Sequence, residues 1–419
     1  MSIVKPWTSP MPEEQFGLMR DIISAPSPVG FESAMTLGVL KPYFDGFMPD
    51  SWGMHKYVGN ASVVWDSHPG EDKRFSIMLV GHADKIRLQI RKISSDGKIW
   101  INSDSFLPNT LVGHEVTVFS EEPDEPGQYR SLKGGTIEAL GAIHFVNSDL
   151  SSGRKGIRPN SLYLDLQMHG RHRSEQVKRL GLRPGDPILL DRPIKQGFSP
   201  DTFTGAYLDN GLGCFITAEV ARLVVEAGGT HNVRCLYAIA SHEEIGRFGS
   251  RVLAGELKPD VLIAVDVNHD YVAAPGISNR KMQPLEMGKG FTLSTGSIVS
   301  EQLNVRIRQT AKKFDIPFQI DVTGRDTGTD GMASVFAGVD SAATSIGLPI
   351  RNMHTISESG HTGDVLAAVH VLKETILGMD TEDELRSVFR ESHPRLDQTT
   401  SMTHQGPATS TGHKTSDSI

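Results

Sequence analysis

The sequence has few of the features that mark secreted, membrane-spanning or nucleic-acid-binding proteins. Among its 419 residues only Cys214 and Cys235 are cysteines, which excludes a disulfide framework and a multi-cysteine zinc module. No stretch approaches the roughly 18 uncharged apolar residues of a membrane helix, and the segment MSIVKPWTSPMPEEQF has no apolar signal-peptide core. The net charge is −8 with both signs mixed, which argues against nucleic acid or an anionic membrane as partner. We therefore expect a cytoplasmic protein.

Short apolar runs alternate with amphipathic stretches along most of the chain. The runs are typical of buried strands, whereas the stretches between them have apolar residues at helical spacing. This alternation predicts an α/β fold with a mainly parallel sheet covered by helices, in a discontinuous α/β domain at 1–87 and 193–380. Strands are predicted at 76–84, 235–244, 260–268 and 341–349, and helices at 12–25, 211–228, 301–314 and 364–377.

The segment at 88–192 has a different pattern. Short, alternating, β-branched stretches such as KIWINS and HEVTVFS are separated by turn residues, with little helix between them. We interpret this segment as a small β-rich domain inserted into the α/β domain. Because it contributes no recognisable metal ligand, we expect it to be a dimerisation domain. Residues 381–419 end in a Ser/Thr/Gly-rich stretch with almost no large apolar side chain, so we expect a disordered tail there.

Several predicted strand ends carry side chains that bind metal ions. Ligands of open α/β sheets bind beyond the carboxyl ends of the strands. Taken singly, an aspartate before a helix is usually an N-cap, and a histidine at a strand end is usually only hydrogen-bonded. Taken together, four carboxylates in one cleft would repel each other strongly. The residues concerned are His82, Asp84, Asp209, Glu243, Glu244, Asp266 and His354.

Two divalent cations would neutralise the four carboxylates Asp209, Glu243, Glu244 and Asp266. Imidazole nitrogen and carboxylate oxygen suit zinc, and also cobalt or manganese. Two neighbouring ions need one bridging carboxylate, and each ion then takes one histidine and one further carboxylate. One of the two adjacent glutamates is left over and would serve as general base. We expect Asp84 to orient the imidazole at position 82, and we count it among the catalytic residues.

The order of these motifs resembles the M42 family of dinuclear metallo-aminopeptidases over roughly residues 15–378. Lys85 stands where the family usually has an acidic residue, which is expected to change the local field near the first metal. His242 stands where many members have glutamine, and SHEEIG is also similar to the M18 aspartyl aminopeptidases. The matching motifs are His-x-Asp, Leu-Asp-Asn, Glu-Glu-Ile-Gly, Val-Asp-Val and Met-His-x-x-x-Glu, with PSPVGFE, GLRPGD, GTD and SIGLPIRNMHTISE.

The resemblance implies a role for each residue of the site. Asp209 would bridge the two ions, and Glu243 would be the base that activates the bridging water. The family's inserted domain builds dimers, which often assemble into a hollow tetrahedral dodecamer. Each ion would have two further ligands, His82 with Asp266 for one ion and Glu244 with His354 for the other.

The predicted function is a metal-dependent aminopeptidase with two divalent ions per subunit that removes N-terminal residues from short peptides. One alternative is a metal-dependent hydrolase of acylated or otherwise modified amino acids or dipeptides, and another is an M18-like enzyme. An inactive scaffold is disfavoured because all the expected ligands and the base are present. A glycosidase would need two metal-free carboxylates, and no Gly-x-Ser-x-Gly motif supports serine-based hydrolysis. We expect a homo-oligomer.

Overall fold

An eight-stranded, mainly parallel sheet forms the centre of the protein and confirms the predicted α/β class. The computed structural model describes residues 5–381, 385, 386 and 389, without 9, 60, 104, 141–148, 150–151 and 275–282. Four central strands run parallel, and antiparallel strands flank them on both sides. In spatial order the strands are β1 (Gly53–Lys56), β2 (Val63–Asp66), β12 (Val233–Ala240), β3 (Phe75–His82), β13 (Val261–His269), β16 (Ala342–Ile350), β14 (Phe291–Gly296) and β15 (Phe318–Thr323).

Helices cover both faces of this sheet. The described helices are α1 (Glu13–Ser24), α2 (Ser33–Met35), α3 (Lys41–Asp45), α4 (Arg173–Arg179), α5 (Leu208–Glu226), α6 (Phe248–Leu257), α7 (Glu301–Phe314), α8 (Ala333–Phe336) and α9 (Thr362–Met379). Side chains alternate along a strand, so Ile77 and Leu79 of β3 pack with α1, α5, α7 and α9, whereas Met78 and Val80 pack with α6 and α8. None of the helices in the described ranges is long and apolar enough to cross a bilayer.

Six strands that lie between β3 and β12 in the sequence close into a separate barrel. Leu88, Ile90, Val116 and Ile137 belong to its own buried core, which is distinct from the two cores of the large sheet. A small three-stranded sheet contains the two strands that follow the barrel, β10 (Lys195–Gln196) and β11 (Thr202–Gly205), together with β17 (Glu358–His361), which follows β16. The barrel strands in order are β4 (Leu88–Ile93), β5 (Ile99–Asn102), β8 (Leu162–Asp165), β7 (Glu125–Ala139), β6 (Glu115–Glu122) and β9 (Pro187–Leu190).

The chain still packs against the α/β domain just beyond residue 381. Leu385 is buried, and Arg386 Nη1 donates a 2.7 Å hydrogen bond to Asp260. The ring of Phe389 lies 5.8 Å from that of Phe75. These contacts fall inside the segment predicted as a tail, and the other residues of 382–419 lie outside the described ranges.

Candidate active site

The predicted site residues meet in one cleft at the carboxyl ends of the central strands. His82 is the last residue of β3, Asp266 lies near the end of β13, and Glu243 and Glu244 follow β12. His354 follows β16 in the loop that leads to β17. The carboxyl ends of parallel strands lie at the same edge of a sheet, so residues far apart in sequence converge here.

Asp209 reaches the cleft because α5 approaches the sheet very closely. A Cβ atom on Gly81 would lie 2.7 Å from the backbone of Gly213, and one on Gly213 would lie 2.2 Å from the carbonyl oxygen of Val265. The side chain of Asn210 donates to that carbonyl at 2.8 Å and accepts from the backbone N–H of Gly213 at 2.8 Å. Residues 209 and 210 have non-helical dihedral angles, so the regular helix begins after them, as predicted.

The first group of possible ligands consists of His82, Asp209 and Asp266. His82 Nε2 lies 3.3 Å from Asp209 Oδ1 and 3.8 Å from Asp266 Oδ1. All three side chains are buried. One atom from each of them lies within 4.8 Å of the others, which is close enough for a single ion to contact all three.

The second group consists of Asp209, Glu244 and His354 and shares its aspartate with the first. His354 Nε2 lies 3.1 Å from Asp209 Oδ2 and 3.8 Å from Glu244 Oε2. The two oxygens of Asp209 therefore face different histidines, which is the arrangement that a bridging carboxylate needs. Glu243 belongs to neither group, although its Oε2 lies 3.8 Å from His82 Nε2.

The electrostatics of the cleft favour bound cations. Burial raises the pKa of Glu243 to about 9 and that of Asp266 to about 8, with neighbouring carboxylates adding to both increases. Burial alone would also raise the pKa of Asp209, but the adjacent imidazoles of His354 and His82 lower it below its ordinary value. Asp209 Oδ1 and Glu244 Oε1 are buried and accept no hydrogen bond within the described residues. Buried oxygens of this kind fit hard divalent ions, which coordinate carboxylates directly.

Asp84 holds the turn that carries the two glutamates. Its Oδ1 accepts the backbone N–H of Glu243 and its Oδ2 accepts that of Glu244, each at 3.1 Å. Asp84 also makes two contacts with Nδ1 of His82. Its Oδ1 lies 3.5 Å from this nitrogen, and its backbone carbonyl oxygen lies 3.1 Å from it. Besides the expected contact with the imidazole of His82, Asp84 therefore also holds the backbone of the two glutamates, which the sequence did not predict.

Glu358 is a further residue of the site to which the sequence assigned no role. Its Oε2 accepts the backbone N–H of Leu208 and its Oε1 accepts that of His354, each at 2.7 Å. Glu358 thus joins the segment before Asp209 to the loop of the second histidine. The spacing Met-His-x-x-x-Glu marked this residue in the sequence, but the spacing does not show which groups the carboxylate contacts.

Two more groups adjoin the glutamates without a predicted role. Asp330 is fully buried, and Ser250 Oγ donates to its Oδ1 at 2.5 Å. Arg247 Nε lies 3.5 Å from Glu243 Oε1, and its Nη1 donates to Asp326 at 2.7 Å. Arg247 therefore connects the candidate base to the neighbouring loop.

The ammonium group of Lys85 lies away from the candidate metal ligands. Its Nζ donates to the carbonyl oxygens of Ile23, at 2.6 Å, and of Ala25, at the carboxyl end of α1. It also lies 5.2 Å from the ring centroid of Tyr207. These hydrogen bonds tie the Lys85 side chain to the carboxyl end of α1, so the departure from the family pattern at this position serves the packing of that helix.

A family model and several known proteins are similar to this chain. The family model described as M42 glutamyl aminopeptidase matches residues 61–371. The chain is 28% identical over 366 residues to lysyl aminopeptidase of Pyrococcus furiosus, covering 85% of this chain and 95% of that protein. Its fold is similar to that of a TET aminopeptidase from Thaumarchaeota archaeon SCGC AB-539-E09, with a TM-score of 0.75, 22% identity, and coverage of 90% and 98% of the two chains. Pyrococcus horikoshii TET1 peptidase, which can assemble into a tetrahedron or a large octahedral shell, has a TM-score of 0.70 at 20% identity, with 86% and 98% covered.

Proposed function

The chain belongs to the M42 glutamyl aminopeptidase family and is a metal-dependent aminopeptidase, and on that premise we propose the residues that perform the reaction. The observation that carries the proposal is the position of Asp209, whose two carboxylate oxygens face His82 and His354. We assign Asp209 as the bridge between two divalent ions. Zinc is the first candidate, with cobalt or manganese as alternatives, because the donors are nitrogen and oxygen only. The remaining ligands are His82 with Asp266 for one ion and Glu244 with His354 for the other.

The ions, when bound, lower the pKa of water and polarise the scissile carbonyl group. Glu243 is the base, because it lies beside the ligands and belongs to neither ligand group. It takes the proton of the attacking water and returns it to the nitrogen of the departing amine. Proton transfer of this kind contributes about a hundred- to ten-thousand-fold in rate. Asp84 is a positioning residue that fixes the backbone of the base.

The substrates are short peptides with a free amino terminus. The curated relative named lysyl aminopeptidase supports this assignment, since the chain covers 95% of its length. The alternative substrates are acylated or otherwise modified amino acids, and they differ from peptides in having a blocked amine. An assay can therefore separate the two classes directly.

We extend the proposal to a homo-oligomer in which the barrel of strands β4–β9 forms the dimer interface. The barrel has its own core and supplies none of the candidate ligands, so its folding is not needed to complete the ligand set. The shells named for Pyrococcus horikoshii TET1 peptidase support assembly of dimers into a larger particle.

The deciding experiment assays metal-free protein with zinc, cobalt or manganese restored. The substrates are aminoacyl p-nitroanilides, the same compounds with an N-acetyl group, and a soluble glucan. We expect hydrolysis of the unblocked substrates only, its loss with a chelator, and its recovery with metal. Preferential cleavage of the N-acetyl substrates would instead assign the alternative hydrolase activity, and chelator-resistant cleavage of the glucan would overturn the metal-dependent mechanism.

A further inference from the structure

A cavity of about 510 Å³ opens directly beside the candidate metal ligands. Val267, next to Asp266, and Met353, next to His354, both line it. The cavity extends from there towards β15, the strand at the edge of the large sheet. It is therefore positioned to receive part of a substrate whose reacting bond lies at the ligands.

The strand β13 shows how far the cavity extends from the ligands. Asp266 and Asn268 are two positions apart, so they lie on the same side of the strand, about 7 Å apart. Gly347 pairs with Asp266, and a Cβ atom on this glycine would lie 2.5 Å from Thr292 Oγ1 and 3.0 Å from Asn268 Cβ. Asn268 Nδ2 then donates a 3.0 Å hydrogen bond to Asp321 Oδ2. Asn268 thus links the carboxylate of Asp321 to the strand that carries Asp266.

Within the described lining of the cavity, Asp321 is a carboxylate that no basic side chain pairs. The second carboxylate of the cavity, Asp326, is paired with Arg247 at 2.7 Å, whereas Asp321 is held by the neutral amide of Asn268. Burial lowers the pKa of His269, so this histidine is neutral near pH 7. The part of the lining that the structure describes contains no lysine or arginine.

We propose that this cavity receives the side chain of the substrate's N-terminal residue and that Asp321 makes the enzyme select a lysine or arginine there. The inference rests on the proposed function, because it needs an aminopeptidase reaction at the neighbouring ligands. A lysine has a flexible four-carbon stem that places its ammonium group well away from the reacting carbonyl, and arginine is similar. An aspartate or glutamate in the same place would bring a like charge against Asp321.

A neutral side chain would leave the carboxylate of Asp321 half-buried with only its amide partner. Burial raises the pKa of Asp321, and an ammonium or guanidinium group would reverse that increase. The basic residue gains a charge-assisted hydrogen bond, which the neutral side chain of leucine cannot make. The preference for a basic residue over leucine therefore depends on the carboxylate of Asp321, and the apolar stem of the substrate side chain adds little to this preference.

The test compares kcat/KM for lysine, leucine and glutamate p-nitroanilides in the metal-loaded enzyme. We expect the wild type to prefer lysine, and Asp321→Asn to lower the lysine-to-leucine ratio by about tenfold to a hundredfold. The matched control is Asp326→Asn, which removes a carboxylate of the same cavity that is already paired. The control should change the ratio by less than about threefold, because a general effect through Arg247 cancels in the ratio.

A second measurement separates binding from turnover. Free L-lysine should inhibit leucine p-nitroanilide hydrolysis more strongly than L-norleucine, which has the same stem without the ammonium group. Asp321→Asn should remove most of that difference. A wild type that prefers leucine or glutamate, or a ratio that Asp321→Asn leaves intact, overturns the inference while the aminopeptidase assignment stands. Failure to cleave any unblocked substrate with metal restored overturns the proposed function itself.

Discussion

The backbone N–H of Glu243 donates a hydrogen bond of 3.1 Å to Oδ1 of Asp84. The candidate base is therefore fixed through its main chain by a residue that follows another strand, β3. The other oxygen of Asp84 holds Glu244 in the same way. One carboxylate thus sets the relative positions of a metal ligand and the base.

Asp84→Asn should lower kcat by about ten- to a hundredfold with a smaller change in KM. An amide has only one carbonyl oxygen, so one of the two N–H groups loses its acceptor, and small displacements of a reacting group are costly. Steady-state kinetics on metal-loaded protein measure the effect. The control is Asp96→Asn, since Asp96 is exposed in the barrel and pairs with Arg173. Equal losses in both variants would contradict the positioning role.

Glu243→Gln should retain both metals and lower kcat by about a hundred- to ten-thousand-fold, because the amide keeps the shape without the basicity. Glu244→Gln should instead lose metal, since a neutral amide is a poor ligand for a divalent ion. Metal content and kcat are measured on both variants. If Glu243→Gln loses metal while Glu244→Gln keeps it, the two roles are reversed.

Asp209→Ala should lose both ions, whereas His354→Ala should weaken mainly one. The reason is that Asp209 belongs to both ligand groups and His354 to the second alone. Elemental analysis after dialysis against zinc gives the number of ions per chain, and circular dichroism confirms that each variant is folded. Fewer than one ion per chain in the wild type would be incompatible with a dinuclear site.

The stability difference between the wild type and Lys85→Met should depend on pH. Burial lowers the pKa of Lys85 from 10.5 to about 7. Between these values the unfolded chain binds a proton that the folded chain does not, so the free energy of unfolding increases with pH. The wild type should gain about 1.4 kcal/mol per pH unit relative to Lys85→Met between about pH 7.5 and 9.5. Urea unfolding at several pH values measures this gain, and parallel curves would show that the ammonium keeps its ordinary pKa.

Light scattering at micromolar concentration should give a mass of at least two chains of 45.7 kDa. Leu107 of the barrel is 71% exposed, and Leu107→Asp should shift the protein towards monomer if the barrel forms the interface. Val58→Asp is the control, because Val58 is 96% exposed and lies in the α/β domain. A monomeric wild type would refute the proposed assembly, and equal dissociation in both variants would place the interface elsewhere.

The sequence alone was sufficient for the class of the fold and for the candidate ligands. The apolar run at 76–84 and the amphipathic stretch at 301–314 correspond to β3 and α7, because strand and helix periodicity are local properties. The candidate ligands could be recognised because each one lies in a short motif at an end of such an element. Their convergence followed from the general rule for parallel sheets.

The partners of the charged side chains were decided by the tertiary structure. Glu358 contacts Leu208, 150 positions away, and Asp321 contacts Asn268 across two intervening strands. Lys85 lies next to Asp84, yet its ammonium turns to the end of α1. Sequence spacing fixes the face of an element on which a side chain lies. The group that this side chain contacts depends on which distant segments pack there, and the close approach of α5 to β3 at Gly81 and Gly213 is one such packing contact.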